Sequence, residues 1–155
     1  MLFRSIQLDA TFGLLDAKFR GFLTADPARP ALGMLQIGGN RVPQAPKYTL
    51  NLGAQYTAAI GSGSLTLRGE YRRQGKTYFT IFNTTSASQS AYALENAFLT
   101  YESKDSRWSA TAFIRNIGNR FAATSMFIQA TGFGGGLSGS AIAPRTFGGS
   151  IGYEF

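Results

Sequence analysis

The chain of 155 residues has no cysteine, no histidine and a single tryptophan. Without cysteine it forms no disulfide and carries no thiol chemistry. Without cysteine and histidine it lacks the usual zinc ligands, and without histidine it lacks the Ser-His-Asp triad. Its residues form no paired acid–base or nucleophile pattern. We therefore expect a protein that is not an enzyme and that holds no metal or cofactor.

Long apolar runs are also missing. No run approaches the roughly 18 residues that a membrane helix requires, and the mean hydropathy is −0.05. The formal net charge is +7, but the lysines and arginines are spread along the chain and form no cluster among stacking aromatics. This spacing argues against a nucleic-acid partner. A β-barrel carries its hydrophobicity in alternate residues, so neutral hydropathy is compatible with a membrane location.

The last ten residues alternate strictly. Phe147, Gly149, Ile151, Tyr153 and Phe155 share one parity, and small or polar residues occupy the other. Successive side chains of a strand point to opposite faces. The C-terminal strand therefore has one aromatic and aliphatic face, which is typical of a membrane barrel.

Five further segments alternate in the same way. The pattern predicts an all-β chain, an antiparallel up-and-down meander that forms part of a transmembrane β-barrel, or an open curved sheet if alone. The predicted strands are residues 5–19, 44–58, 64–80, 91–103, 107–121 and 144–155. Their connections are alternately long and short, as in outer-membrane barrels with long extracellular loops and short periplasmic turns.

Aromatic residues of the apolar parity fall near the two ends of the predicted strands. The expected girdle, which marks the two membrane interfaces, consists of Tyr48, Tyr56, Tyr71, Tyr101 and Trp108. Arg73 also has the apolar parity. It lies near the upper interface, where a lipid-facing arginine costs only about 0–1 kcal/mol.

Several segments resemble the late-barrel strands of TonB-dependent outer-membrane receptors, in family order and over nearly the whole chain. The segments are NRVPQAPKY (40–48) running into LNLGAQY (50–56), LTLRGEY (65–71) followed by KTYF (76–79), LENAFLTYE (94–102), WS (108–109) to RNIGNRF (115–121), and PRTFG (144–148). The resemblance departs from the family at Ile117-Gly118-Asn119, where an Asn-Leu-Thr-Asp-like corner is usual, and at Phe98, where a polar lumen residue is usual.

The resemblance implies a C-terminal barrel segment of a receptor for energy-coupled uptake of a ferric siderophore or a similar scarce nutrient across the bacterial outer membrane. The family has about 22 strands, a plug and an N-terminal coupling box. Because the resemblance is to the last six strands alone, we expect no plug in this chain. We also expect that its first residues are not a signal peptide. The implied partners are outer-membrane lipid, the remaining barrel strands and plug, the barrel-assembly machinery, and the TonB energy-coupling complex through the missing N-terminal part.

Two sets of residues are candidate sites. The terminal strand, with Phe147, Ile151, Tyr153 and Phe155, resembles the signal read by the barrel-assembly machinery, although a plain lipid-facing strand would look the same. The lumen-parity residues Arg68, Arg72, Lys76 and Arg115 are candidate contacts to an anionic ligand. They are also candidates for pairing with plug carboxylates or with Glu70 and Glu102. The loop aromatics that we expect near the mouth are Phe79, Phe82, Phe127 and Phe133.

Two other functions fit the same alternation. One is a barrel without transport activity, or a structural surface protein. The other is a soluble β-barrel or sandwich that binds a small ligand. The soluble fold does not account for the two girdles or for the alternation of loop lengths.

Overall fold

The computed structural model describes residues 4–133 and 135–155, without the side chains of Arg4 and Phe133. Within these ranges the regular structure is almost entirely β. The strands are β1 Arg4–Leu14, β2 Leu23–Ala25, β3 Met34–Gln36, β4 Tyr48–Ile60, β5 Gly63–Gln74, β6 Thr77–Tyr78, β7 Ser88–Gln89, β8 Tyr92–Ser103, β9 Trp108–Arg115, β10 Ala123–Gln129, β11 Gly136–Ala141 and β12 Thr146–Tyr153. Short 3₁₀ turns occupy Pro30–Leu32 and Thr131–Phe133.

The long strands form one sheet in the order β1-β4-β5-β8-β9-β12. Every neighbouring pair is antiparallel. Each long strand therefore pairs with the next long strand in the chain, and the predicted six-strand meander is confirmed. Tight turns join β4 to β5 and β8 to β9. In the first, Gly61 has a φ of 57°, a left-handed conformation that glycine adopts without strain.

The register places residues of one kind in rows across the sheet. One row of the polar face carries a hydroxyl side chain on every strand: Ser5, Thr57, Thr66, Thr100, Thr111 and Ser150. Within it, Thr57 and Thr66 share a hydrogen bond of 3.0 Å, and Thr100 and Thr111 share one of 3.2 Å. The neighbouring row on the other face holds Ile6, Tyr56, Leu67, Leu99, Ala112 and Gly149. The sheet is therefore a wall with one polar and one apolar face.

Buried side chains lie at the long-loop end of the sheet. Among the described residues other than glycine, the buried ones are Ile37, Ala87, Ala122, Ala123, Asp26, Thr77 and Asn116. In contrast, the large apolar side chains of β1 and β12 are exposed. A single sheet layer has no second layer to cover its apolar face. This face is therefore a surface, and the packed part of the fold is the loop region.

Strand ends differ from the sequence prediction at the long-loop end. β1 ends at Leu14 and not at residue 19, and β9 ends at Arg115 and not at residue 121. After β9, Asn116 and Asn119 have φ angles of 52° and 46°, which turn the chain away from the sheet. β5 stops at Gln74, and Thr77–Tyr78 pairs instead with Ser88–Gln89.

The three long connections are also more regular than predicted. Each carries its own small hairpin: β2–β3, β6–β7 and β10–β11. The β10–β11 hairpin occupies most of the glycine-rich segment 122–143, which was predicted to be a loop. Over the described residues, no helix has both the length and the apolar character needed to cross a membrane.

Candidate functional site

An ion-pair cluster lies near the middle of the polar face. Arg68 on β5 donates from Nη1 to Oδ1 of Asp9 on β1 at 3.0 Å, and from Nε to Oε1 of Glu70 at 3.0 Å. The side chains of Arg68 and Asp9 are 29% and 49% exposed. Arg68 therefore pairs with carboxylates of the wall, which was one of the predicted alternatives. Glu70 is the predicted partner, and the second partner is Asp9 and not Glu102.

The Arg68–Asp9 pair spans three strands, because β4 lies between β1 and β5. The β4 residue opposite both Asp9 and Glu70 is Gly53. A Cβ built on Gly53 would collide with the Asp9 carboxylate. The absence of a side chain at Gly53 therefore lets the carboxylate lie over the strand and reach Arg68.

A chain of asparagines extends this cluster toward the loops. Asn96 Nδ2 on β8 donates to Glu70 Oε2 at 3.5 Å, and Asn96 Oδ1 accepts from the backbone N–H of Asn116 at 3.0 Å. The buried Asn116 side chain then donates to the carbonyls of Arg120 and Ala143, each at 2.9 Å, and accepts from the Arg120 N–H at 2.8 Å. Asn116 thus holds together the two ends of the β9–β12 connection.

Two phenylalanines form an apolar patch on the otherwise polar face. Phe98 and Phe113 are directly opposite each other on β8 and β9. The Arg115 guanidinium lies 4.8 Å from the Phe113 ring centroid and 6.0 Å from that of Phe98, within the range of cation–π attraction. Phe98 is therefore part of a cluster with Phe113 and Arg115.

The other two candidate cations lie nearer the long loops. Arg72 lines an open cavity of about 440 Å³ at the top of the polar face, together with Thr49, Gln74, Phe79 and Tyr92. Lys76 lies beyond the end of β5, and its Nζ is 4.7 Å from the Tyr78 ring centroid. The structure therefore separates the four predicted cations into two wall residues with contacts on the sheet, one cavity residue and one loop residue.

Hydrogen bonds connect the long loops to one another. Asn83 accepts from the Arg41 N–H at 2.7 Å and donates to its carbonyl at 2.9 Å, so that its amide mimics a β-bridge. Asn40 Nδ2 donates to the Ile81 carbonyl at 2.8 Å. Gln89 accepts from the Ala123 N–H at 2.8 Å. The loops are therefore a connected cap on one end of the wall.

A second cavity, of about 260 Å³, lies inside this cap. Phe79, Phe82 and Phe127 line it together with the buried Asp26 and Thr80. Asp26 pairs with Arg29 Nε at 2.8 Å, and Thr80 Oγ1 is buried without a hydrogen-bond partner in the described part of the chain. Three of the four loop aromatics expected at the mouth thus share one cavity, and the side chain of Phe133 lies outside the described residues.

Aromatic residues cluster where the chain ends. Tyr153 on β12 lies opposite Trp108 on β9, with ring centroids 4.6 Å apart, and its ring is 5.0 Å from that of Phe155. Phe147 and Ile151 are 83% and 78% exposed, and Phe155 is fully exposed. β12 pairs with β9 on one side and is an edge of the sheet on the other. The four residues of the predicted assembly signal therefore line an open edge.

The expected girdle residues lie at two levels of the apolar face. Tyr56, Tyr101 and Trp108 are near the tight turns, and Tyr48 and Tyr71 are near the loop cap. Between Tyr56 and Tyr71 one row carries Leu8, Ala54, Gly69, Ala97, Ile114 and Phe147, and the rows nearer the loop cap also carry Arg73 and Glu95. Whether these two levels mark membrane interfaces stays a prediction.

Two carboxylates outside the sheet strands have altered acidity. In the β1–β2 connection, hydrogen bonding and ion pairing with Lys18 and then Arg41 lower the pKa of Asp16 below its usual value. In the β8–β9 turn, hydrogen bonds from the Ser103 hydroxyl and the Arg107 N–H lower the pKa of Asp105. In both cases the hydrogen bonds favour the ionised form.

Within residues 4–133 and 135–155 no group of three or more acidic side chains is arranged to hold a metal ion. Alternation in the sequence did not single out Asp9, Gly53, Asn116 or Phe113. Asp9 and Gly53 have the polar parity, which was visible in the sequence. Their partnership with Arg68 depends on which strands are neighbours, and parity does not specify that.

A single antiparallel meander with one polar face, one apolar face and loops joined at one end is the architecture of a β-barrel wall. Residues 5–117 match the family model described as TonB dependent receptor-like, beta-barrel. The chain therefore belongs to the TonB-dependent receptor family, whose members are bacterial outer-membrane proteins.

A solved structure has the same fold. The crystal structure of the ferric yersiniabactin uptake receptor FyuA from Yersinia pestis aligns with a TM-score of 0.68 and 22% sequence identity. The alignment covers 77% of this chain and 18% of FyuA. The chain thus spans less than a fifth of that receptor, and at this identity the likeness concerns the fold.

Proposed function

We propose that this chain is a C-terminal wall segment of an outer-membrane receptor that takes up a ferric siderophore or a similar scarce nutrient with energy from TonB. Family membership supports the receptor role. The observation that carries the proposal is the contrast between the two faces: a polar network of Asp9, Arg68 and Glu70 on one, and aliphatic rows on the other. In a barrel, the first face lines the lumen and the second meets lipid.

The distribution of unpaired charge supports an anionic cargo that enters at the loop end of the polar face. Arg68 is neutralised by two carboxylates and Arg115 lies on aromatic rings. Arg72 forms no ion pair within the described residues and lines the upper cavity. Of the three wall arginines, Arg72 is therefore the first that a negatively charged ferric siderophore would meet as it passes from the loop cap into the lumen.

β1 and β12 are the two edges of the sheet, and in a membrane each needs a further strand to pair with its free backbone groups. Unpaired backbone in lipid costs several kcal/mol per group, so membrane-spanning sheets close into barrels. We propose that the missing strands, the plug and the TonB contact lie in the rest of the parent receptor. Before closure, β12 would pair with an edge strand of the barrel-assembly machinery, a form of β-augmentation, with Phe147, Ile151, Tyr153 and Phe155 as the recognised side chains.

Uptake of ⁵⁵Fe by cells that express the parent receptor as their sole iron receptor tests the proposal. We expect accumulation from at least one class of ferric siderophore, and its loss when a protonophore removes the proton-motive force. Arg72→Gln should raise the half-saturating concentration roughly tenfold, equivalent to about 1.4 kcal/mol. Arg107→Gln, in the tight turn at the opposite end, is the matched control and should leave uptake unchanged.

Further measurements on the parent protein, with labelled cobalamin and in buffer without detergent, address the alternative functions. A barrel that inserts normally but supports no energy-dependent uptake of any siderophore, haem or cobalamin would favour a structural surface protein. A parent protein that is monodisperse in buffer without detergent would favour a soluble β-domain.

A further inference from the structure

The left-handed turn after β9 leaves one backbone group to a side chain of the polar face. β9 ends at Arg115, and Asn116 has a φ of 52°. The N–H of Ile117 returns to the ladder and donates to the Glu95 carbonyl at 2.9 Å, so Asn116 is an extra residue, as in a β-bulge. The N–H of this buried residue donates instead to Oδ1 of Asn96 at 3.0 Å. The Asn96 side chain thus supplies the acceptor that strand pairing does not.

Glu70 determines which way the Asn96 amide points. The two residues lie opposite each other on β5 and β8, and Asn96 Nδ2 donates to Glu70 Oε2 at 3.5 Å. An ionised carboxylate only accepts hydrogen bonds, and a backbone N–H only donates. The amide nitrogen must therefore face Glu70, and the amide oxygen must face the Asn116 N–H. Because the carboxylate excludes the opposite orientation of the amide, Glu70 acts on Asn116 through Asn96.

Arg68 holds the Glu70 carboxylate in place. Arg68 Nε donates to Glu70 Oε1 at 3.0 Å, so one carboxylate oxygen faces Arg68 and the other faces Asn96. Asp9 on β1 binds the same guanidinium at 3.0 Å. With neighbouring strands roughly 4.8 Å apart, the contacts from Asp9 on β1 to Asn116 after β9 cross about 19 Å of the sheet. The ion-pair cluster and the β9–β12 connection are therefore parts of one hydrogen-bond network.

The β9–β12 connection forms one side of both cavities at the loop end. Three of its residues line the upper cavity beside Arg72, and Ser125–Ile128 line the cavity inside the cap. At the two ends of the connection, the Arg120 and Ala143 carbonyls accept hydrogen bonds from the Asn116 side chain. The position of Asn116 therefore decides where this side of the two cavities lies.

We propose that Glu70 is a positioning residue for the mouth of the receptor, the loop end that contains the two cavities. Its carboxylate, acting through Asn96 and Asn116, holds the β9–β12 connection where it lines them. The inference rests on the proposed function, in which cargo enters through these cavities. Glu70 lies two residues nearer the β4–β5 turn than Arg72, outside the lining of both cavities. Its replacement should therefore weaken the capture of cargo by loosening the connection and not by removing a direct contact.

Hydrogen exchange of the parent barrel, measured by mass spectrometry in detergent, tests the link between Glu70 and the connection. Glu70→Gln keeps the size of the side chain, but its amide both donates and accepts, so it no longer enforces one orientation of Asn96. We expect exchange within residues 117–145 to become roughly fivefold faster, as for one weakened hydrogen bond. Asn96→Leu removes the acceptor of the Asn116 N–H and should have at least the same effect.

The double variant Glu70→Gln/Asn96→Leu decides whether Glu70 acts through Asn96. If it does, the double variant should exchange like Asn96→Leu alone. Two controls remove a carboxylate from the same face and leave the link intact. Asp9→Asn keeps the contact between Glu70 and Asn96, and Glu102→Gln alters the tight-turn end of the wall. In both controls the connection should exchange as it does in the wild type.

Three results would overturn the link: wild-type exchange in Glu70→Gln, additive effects of Glu70→Gln and Asn96→Leu, or equally fast exchange in Asp9→Asn. Heat-modifiable migration shows that each variant is folded.

Uptake of ⁵⁵Fe is the second readout. In Glu70→Gln the half-saturating concentration should rise several-fold while the maximal rate stays the same. Faster exchange with unchanged uptake kinetics would show that Glu70 does not position the mouth for cargo. If the wild type takes up no siderophore but exchange still depends on Glu70, the uptake function is wrong and the hold of Glu70 on the connection stands.

Discussion

Arg68 on β5 reaches across β4 to Asp9 on β1, with 3.0 Å between Nη1 and Oδ1. The two residues are 59 positions apart in the chain. The contact depends on a third position, Gly53, over which the Asp9 carboxylate lies. This pair joins the edge strand to the interior of the wall by side chains as well as by the backbone ladder.

Gly53→Ala tests this arrangement. The added methyl group must displace the Asp9 carboxylate, so the Arg68–Asp9 pair should break. We expect a loss of about 1–3 kcal/mol, the usual range for overpacking, measured as a lower midpoint of heat-modifiable unfolding of the parent barrel. Gly69→Ala is the matched control, on the next strand with open space around its Cβ. It should be neutral or slightly stabilising. Equal effects of the two variants would show that Gly53 is not required for the contact.

Asn116 should hold the β9–β12 connection in a single ordered conformation. Its side chain makes three hydrogen bonds to loop backbone groups from a left-handed conformation with a φ of 52°. Asn116→Gly keeps that conformation accessible but removes all three bonds. We expect faster hydrogen exchange and protease cleavage within residues 117–145, and unchanged exchange in β4 and β5. Exchange as slow as in the wild type would show that the loop is held by other contacts.

The β8–β9 turn should be sensitive to acid in a defined direction. Hydrogen bonds from Ser103 and Arg107 lower the pKa of Asp105 below its ordinary value of 3.8. A lowered folded-state pKa means that the carboxylate stabilises the turn above the unfolded pKa, and that this contribution is lost as the pH falls through the folded value. Carboxyl ¹³C NMR of aspartate-labelled barrel measures the pKa directly. Ser103→Ala should raise it toward 3.8, and an unchanged pKa would exclude the hydroxyl as the main cause.

The terminal aromatic should matter for assembly more than for the stability of the finished barrel. Phe155 is fully exposed and contacts Tyr153 at the open edge. If the assembly machinery reads this residue, deletion of Phe155 from the full-length receptor should reduce the heat-modifiable barrel in outer membranes several-fold. Phe155→Tyr keeps an aromatic ring and should restore most of it. Normal levels of barrel in the deletion variant would show that the assembly machinery does not require Phe155.

The sheet was largely predictable from the sequence because alternation is a local property. Leu52 and Leu67 fall on one face, and Asn51 and Thr66 on the other, wherever the strands are placed, since the pleat has a period of two residues. The strand ends were less predictable. Asn116 ends β9 because it adopts a left-handed conformation, and after β5 the segment Thr77–Tyr78 pairs with Ser88–Gln89 and not with the sheet. Nothing in the alternation of either strand reports these departures.

By itself the sequence therefore determined the all-β class, the two faces of the wall and the family. Tertiary structure decided which residues of a face meet. Asp9 touches Arg68 because the hydrogen-bond register aligns Asp9, Gly53 and Glu70 on neighbouring strands. Register is a non-local property that results from pairing many backbone groups at once, and it places in contact residues that are far apart in the chain.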